Sequence, residues 1–177
     1  MAKSDLSIRS VPRFEGIAKS HLKKGETVEA ALPVWLGGTY MPFFLSIVVG
    51  VAAGSVAGSG IGNGSILYTI GGAIVGALVG NFLARRKAVE HPIDAGRLQV
   101  YLAVTGRRIL VHENGGMGRP GGLRSEADLK SLDTATVRKG GFFRPTRLTL
   151  TIEGTDYPYE YSGLWRVPGL LEALGAT

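Results

Sequence analysis

Chemistry at neutral pH needs a nucleophile, a proton carrier or a metal ligand held against a partner, and this chain offers few of them. Its three histidines, His21, His91 and His112, fall in separate segments without HExxH spacing or a facing carboxylate, so they read as surface residues. The chain has no cysteine, which removes disulfides, thiolate metal sites, cysteine nucleophiles and CxxC redox chemistry together. Neither a GxxxxGK phosphate loop nor a GxSxG nucleophile elbow occurs. Asp128, Asp133, Asp156 and Glu160 scatter over expected turns and strand faces, where solvated carboxylates are the default. The expectation is a protein that is not an enzyme, with no catalytic residue, cofactor or metal.

The cations carry more information. Arg107 and Arg108 flank one expected turn, and Arg138, Lys139, Arg144 and Arg147 bracket another at Gly140-Gly141. Residues 97–177 hold 11 Lys and Arg against 8 Asp and Glu, too thin a basic stripe for nucleic acid. Turn-borne cations suit anionic lipid headgroups or an acidic protein partner, and a solvated basic rim would look the same. The candidate binding residues are Arg107, Arg138, Lys139, Arg144 and Arg147.

The elements that would position these residues begin with an anomaly. Residues 30–84, 55 in a row, contain no Asp, Glu, Lys or Arg, in a chain of 177 residues that is 45% hydrophobic with a formal charge of +6. Helices of a water-soluble domain need charged outer faces, so a freely soluble enzyme is disfavoured. Pro42–Gly60 and Ile66–Ala84 are each 19 residues long. At about 1.5 Å per residue each reaches roughly 28 Å, close to the hydrocarbon thickness of a bilayer. The short turn-rich link Ser59–Ser65 makes them antiparallel neighbours, and a transmembrane helical hairpin follows over residues 37–86. Arg85, Arg86 and Lys87 after the second span, and the charged first 29 residues, put both flanks on the cytoplasmic side of the plasma (inner) membrane, with Gly62–Gly64 outside. Trp35 and Tyr40 suit an interfacial aromatic belt. The Asn63-Gly64-Ser65 triplet fits a glycosylation acceptor only by chance composition.

Glycines recur every fourth residue in both spans: Gly50, Gly54 and Gly58 in the first, Gly72, Gly76 and Gly80 in the second. Each GxxxGxxxG series puts three glycines on one helical face and lets backbones approach closely. They either close the hairpin within one chain or also join hairpins into a homo-oligomer. This region resembles the glycine-zipper two-helix segments of bacterial envelope proteins.

After residue 97 the apolar period becomes two. Leu98, Val100, Leu102 and Val104 alternate as a strand, and Thr105-Gly106-Arg107 turns into Arg108–Glu113. Asn114–Gly122 reads as a mobile surface loop. Further strands are expected over Leu132–Val137, Arg147–Ile152 and Tyr157–Tyr161, then an amphipathic helix from Val167 to Leu174 ended by Gly175. The segment Leu102-Ala103-Val104-Thr105-Gly106-Arg107-Arg108-Ile109-Leu110-Val111 resembles the L-x-x-T-x-x-R hairpin of bacterial pleckstrin-homology-like (PH-like, GRAM-like) domains. That resemblance implies a first strand over residues 21–36, the remainder over 87–177, and recognition of lipid or protein; by the family's pattern Arg108 is structural. In the N-terminal arm, residues 1–20, Ile8, Val11, Phe14 and Ile17 suit a helix lying on the membrane surface, with Pro12 favouring disorder instead.

The fold expectation is therefore α+β: a transmembrane α-helical hairpin inserted into a small antiparallel PH-like β-barrel or sandwich closed by a C-terminal helix. The functional expectation is a non-catalytic membrane scaffold or accessory protein. The competing expectation is a ring of glycine-zipped hairpins forming a pore, although the spans carry no charge and little polarity to mark an ion path.

Overall fold

The computed structural model describes residues 5–60, 66–88, 91–93, 98–114, 120–141 and 144–176. The expected outer loop at Gly62–Gly64 with its Asn63-Gly64-Ser65 triplet, and residues 115–119 of the expected glycine-rich loop, lie outside them.

Five helices are named: α1 (Leu6–Arg9), α2 (Val11–Ala18), α3 (Tyr40–Gly60), α4 (Ile66–Ala88) and α5 (Pro168–Ala173). The strands are β1 (Val28–Leu36), β2 (Gln99–Thr105), β3 (Arg108–Asn114), β4 (Pro120–Asp128), β5 (Leu132–Arg138), β6 (Thr146–Ile152) and β7 (Thr155–Tyr161). They form one antiparallel sheet in the order β4-β3-β2-β1-β7-β6-β5. An α+β class holds. The expected barrel does not, because β4 and β5 are free edges and the sheet stays open. The short 3-10 turn Leu129–Ser131 separates β4 from β5, and a cavity of about 360 Å³ opens between the two ends of the sheet. Glu126, Asp128 and Glu153 line that gap.

Strand β1 sits at the centre, paired with β2 along its length and with β7 at Trp35 and Leu36. Strand geometry sends alternate side chains to opposite faces. Leu32, Val34, Leu102, Val104, Leu148, Leu150 and Tyr159 therefore share an inner core with Leu170 of α5 and Leu174 just after it. Ala31, Tyr101, Ala103 and Leu110 point to the other face, where Phe14 of α2 buries them. Helix α2 is thus a third layer on the sheet, while Leu6 of α1 packs against the inner core beside α5, so the described part of the arm is bound to the folded domain. Helix α5 has no cap of its own, and the far end of the chain supplies one. The Gly169 amide donates to Asp5 Oδ2 (2.6 Å) and the Leu170 amide to Ser7 Oγ (3.0 Å).

Strand β4 was not expected: Pro120-Gly121-Gly122 reads as loop, yet it opens an edge strand in which an irregularity before Ser125 sends Leu123 and Ala127 to opposite faces. Edge strands tolerate Pro and Gly because one side needs no hydrogen-bonding partner.

Two helices are long and apolar enough to cross a membrane: Tyr40–Ser59 and Ile66–Ala88, with mean hydropathy 1.9 and 1.8 and only 11% of each window buried. Val56, Ile74 and Leu78 are exposed at 72%, 56% and 65%, which water would penalise and lipid would not. Gly50, Gly54, Gly72, Gly76 and Gly80 face inward. A Cβ on Gly50 would overlap the Gly72 carbonyl and lie 2.9 Å from Gly76 Cα; one on Gly80 would lie 2.9 Å from Phe43 O. Gly54 meets the Tyr68 carbonyl and Gly76 the Ser46 carbonyl in the same way. Among the described residues one interhelical pair of hydroxyls, Ser55 Oγ and Thr69 Oγ1 at 3.2 Å, bridges the crossing.

Candidate functional site

The joint between hairpin and sheet is built on β7. The Gly37 amide donates to the Pro158 carbonyl (2.8 Å), and a Cβ on Gly37 would lie 2.6 Å from Pro158 Cβ, so only glycine permits the approach. On the return side, His91 Nε2 bonds the same carbonyl at 3.0 Å, while the Ile93 amide bonds His91 Nδ1 at 3.1 Å. That pattern needs the neutral ring, and burial pushes its pKa below the ordinary value. His91 packs on Tyr157 and Tyr159 and is buried, not the surface residue expected.

At this end of the sheet, register sets a row across four strands. Arg138 lies opposite Arg147, Arg147 opposite Glu160, and Glu160 opposite Trp35. Arg147 Nη2 donates to Glu160 Oε1 (3.0 Å). The other carboxylate oxygen, Oε2, accepts from the Tyr40 amide at the first turn of α3 (3.3 Å). Glu160 is 2% exposed, so it is a buried anchor where a solvated carboxylate was expected. An open groove of about 410 Å³ results, bordered by Arg138, Lys139, Arg144, Arg147, Glu160 and Met41. Met41 belongs to the first turn of α3.

The β5–β6 turn holds two of these cations in place. A Cβ on Gly140 would overlap the carbonyl oxygens of Arg144 and Pro145. The Gly140 amide donates to Thr146 Oγ1 (3.1 Å) and the Gly141 amide to the Arg144 carbonyl (2.9 Å). Arg138, Lys139 and Arg144 are exposed and make no ion pair among the described residues, while Arg147 is matched by Glu160. With four cations against one carboxylate, the groove is strongly electropositive.

Four of the five candidate cations therefore converge. Arg107 does not: it sits in the β2–β3 turn, at the end of the sheet where Val28 pairs with Thr105, and its carbonyl accepts from the Leu129 amide (2.8 Å). Its neighbour Arg108 is buried in a clasp. Its guanidinium pairs with Glu26 and Glu126, with Nε donating to Glu26 Oε1 at 3.0 Å. Thr105 Oγ1 bonds Glu26 Oε1 (2.8 Å) and accepts from the Arg108 amide (2.9 Å). The Arg108 hydrogen bond, the largest influence, holds Glu26 down to about 2. Thr105 and Arg108 thus tie the segment before β1 to the β2–β3 turn and are structural.

His112, also expected at the surface, is fully buried. Its Nδ1 lies 3.0 Å from the Gly121 carbonyl, Phe14 packs edge-on at 4.9 Å, and His21 stands at 5.3 Å. Burial lowers its pKa, the hydrogen bond to the Gly121 carbonyl opposing that shift and the neighbouring His21 ring adding to it. Among the described residues no cluster of three or more His, Asp or Glu has metal-binding geometry.

Sequence reasoning missed Glu160, whose role depends on cross-strand register. It also missed Leu164 and Trp165, two exposed apolar residues in the β7–α5 loop. No protein-family model matches this chain, and no curated protein matches it.

Proposed function

We propose that this is a non-catalytic, two-span membrane protein whose PH-like domain recognises an anionic lipid headgroup, or an acidic partner protein, at the inner face of the plasma membrane. One observation carries the reading: Arg138, Lys139, Arg144 and Arg147 converge on a groove that the first turn of α3 borders. If α3 and α4 are spans, these cations lie at headgroup depth. Strands β1 and β2 are hydrogen-bonded neighbours on either side of the hairpin, which supports a topology in which the chain leaves and returns on one side of the bilayer. The basic cluster Arg85, Arg86 and Lys87 at the end of α4 favours the cytoplasmic side. A cation near an anionic leaflet gains roughly 1 kcal/mol, so the three uncompensated residues supply up to about 3 kcal/mol of docking energy.

The competing reading, a pore lined by glycine-zipped hairpins, needs the glycine faces for contacts between copies. Gly50, Gly54, Gly72, Gly76 and Gly80 already meet backbone of the partner helix in the same chain. The outer faces carry Val, Ile and Leu, which suit lipid.

The test uses full-length protein in mixed phosphatidylcholine and phosphatidylglycerol, with retained lipids counted by native mass spectrometry. Preferential retention of phosphatidylglycerol, lost in R138A/K139A/R144A, supports the reading. Equal retention of both lipids by the unaltered protein overturns the lipid form of it.

A further inference from the structure

We infer that the β7–α5 loop is a membrane wedge, with Leu164 and Trp165 seated among the headgroups and upper acyl chains of the leaflet that the basic groove faces. The inference rests on the reading that α3 and α4 cross a bilayer, and it adds an apolar contact to an electrostatic one. Outside α3 and α4, only Ile8, Leu164 and Trp165 are large apolar side chains left exposed among the described residues, and 164 and 165 are adjacent. They stand 49% and 37% exposed, in a domain that otherwise buries its apolar side chains on both faces of the sheet.

Their position ties them to the groove. Strand β7 ends at Tyr161, opposite Thr146, at the same end of the sheet as Leu36 and the start of α3. A Cβ on Gly163 would lie 2.5 Å from the Gly141 carbonyl and 2.9 Å from that of Arg144. The β7–α5 loop is therefore locked against the β5–β6 turn that carries Lys139 and Arg144. The Leu164 amide bonds Ser162 Oγ (3.3 Å) and the Trp165 amide bonds the Ser162 carbonyl (3.0 Å), a tight turn that presents both side chains. Arg166 follows, also exposed. Trp35 packs edge-on against Tyr40 (5.6 Å) and tilted against Phe43 (5.0 Å) at the base of α3, a second aromatic cluster at that end.

The occupant is lipid. Trp is favoured at the membrane interface because one edge is apolar and the other donates a hydrogen bond. Arg166 beside the pair, and Lys139 and Arg144 of the turn against which the loop is locked, complement phosphates.

The chain has only two tryptophans, so W35F leaves Trp165 as the sole indole. Full-length W35F is reconstituted in vesicles of equal parts phosphatidylcholine and phosphatidylglycerol, with bromine near the carbonyl end of the acyl chains. Trp165 emission should shift to the blue, fall by about half, and resist aqueous iodide, as expected of an interfacial indole. W165F, carrying Trp35 alone, reports whether that end of the fold is intact. An unquenched Trp165 open to iodide, beside normal Trp35 emission, overturns the wedge, as does protection that appears only when a protein binds. An aqueous Trp165 with phosphatidylglycerol preference intact sinks the wedge alone. A quenched Trp165 without that preference upholds the wedge and removes the headgroup groove.

Discussion

Gly71 and Gly72 are neighbours in one helix and indistinguishable by composition, yet the hairpin treats them oppositely. A Cβ on Gly71 meets nothing within 4 Å, whereas one on Gly72 would overlap the Gly50 carbonyl and lie 3.0 Å from Gly54 Cα. Carbon atoms prefer about 3.5–4.0 Å, so Gly72→Ala forces α3 and α4 apart by roughly 1 Å where they touch. Overpacking of this kind costs about 1–3 kcal/mol, against which Ala returns up to about 1 kcal/mol of helix propensity. The net cost is about 1–2 kcal/mol, roughly 5- to 30-fold in the population of the closed hairpin. Gly71→Ala gains the propensity without the clash. The chain has no cysteine, so S55C/T69C places a thiol pair where the hydroxyls stand 3.2 Å apart, with no background. Disulfide formation, read by protection from a maleimide, should be unchanged or faster in Gly71→Ala and slowed about tenfold in Gly72→Ala. Equal rates would refute the helix-contact argument.

Arg108→Ala strips the partner from the buried Glu26 and should cost about 3 kcal/mol or more, while Arg107→Ala, one residue away and exposed, should stay within about 0.5 kcal/mol. Thermal denaturation in detergent separates the two. Glu160→Ala releases both Arg147 and the Tyr40 amide and should cost about 1–3 kcal/mol; proteolysis near residue 40 should rise with it. His91 and His112 bind protons less readily folded than unfolded, so below about 6.5 the unfolded state holds more protons and stability falls. Above that pH their contribution is fully present; it is lost as pH drops toward the folded values, and Glu26 adds a second loss between its ordinary 4.5 and about 2. Melting temperatures that stay flat between pH 7.5 and 5.5 would contradict the two buried histidines. Asp5→Ala and Ser7→Ala should each lower stability by about 1 kcal/mol through loss of the α5 cap, visible as faster amide exchange at Gly169 and Leu170.

Local period made most of the elements legible. The uncharged run from residue 30 to 84 marked two apolar helices, and the alternations at Leu98–Val104 and Arg147–Ile152 marked strands that lie where expected. The four cations around the β5–β6 turn could be picked out because a Gly-Gly turn brings its flanks together. What stayed hidden depends on partners distant in the chain. Glu160 looks like any strand carboxylate until register sets it beside Arg147 and the start of α3. His91 and His112 look like surface histidines until Pro158 and Phe14 cover them. The edge strand β4 has too few apolar residues to show a period, and closure of the sheet depends on what crosses the gap between its ends.

The central position of β1 has a temporal consequence. Both strands that flank it, β2 and β7, are synthesised only after the two apolar helices have emerged. The earliest strand therefore waits, its edges unsatisfied, until the hairpin has delivered the rest of the chain back to it. Maturation of the sheet is thereby made conditional on correct placement of the intervening helices, and a chain whose hairpin fails to return leaves β1 with both edges unpaired.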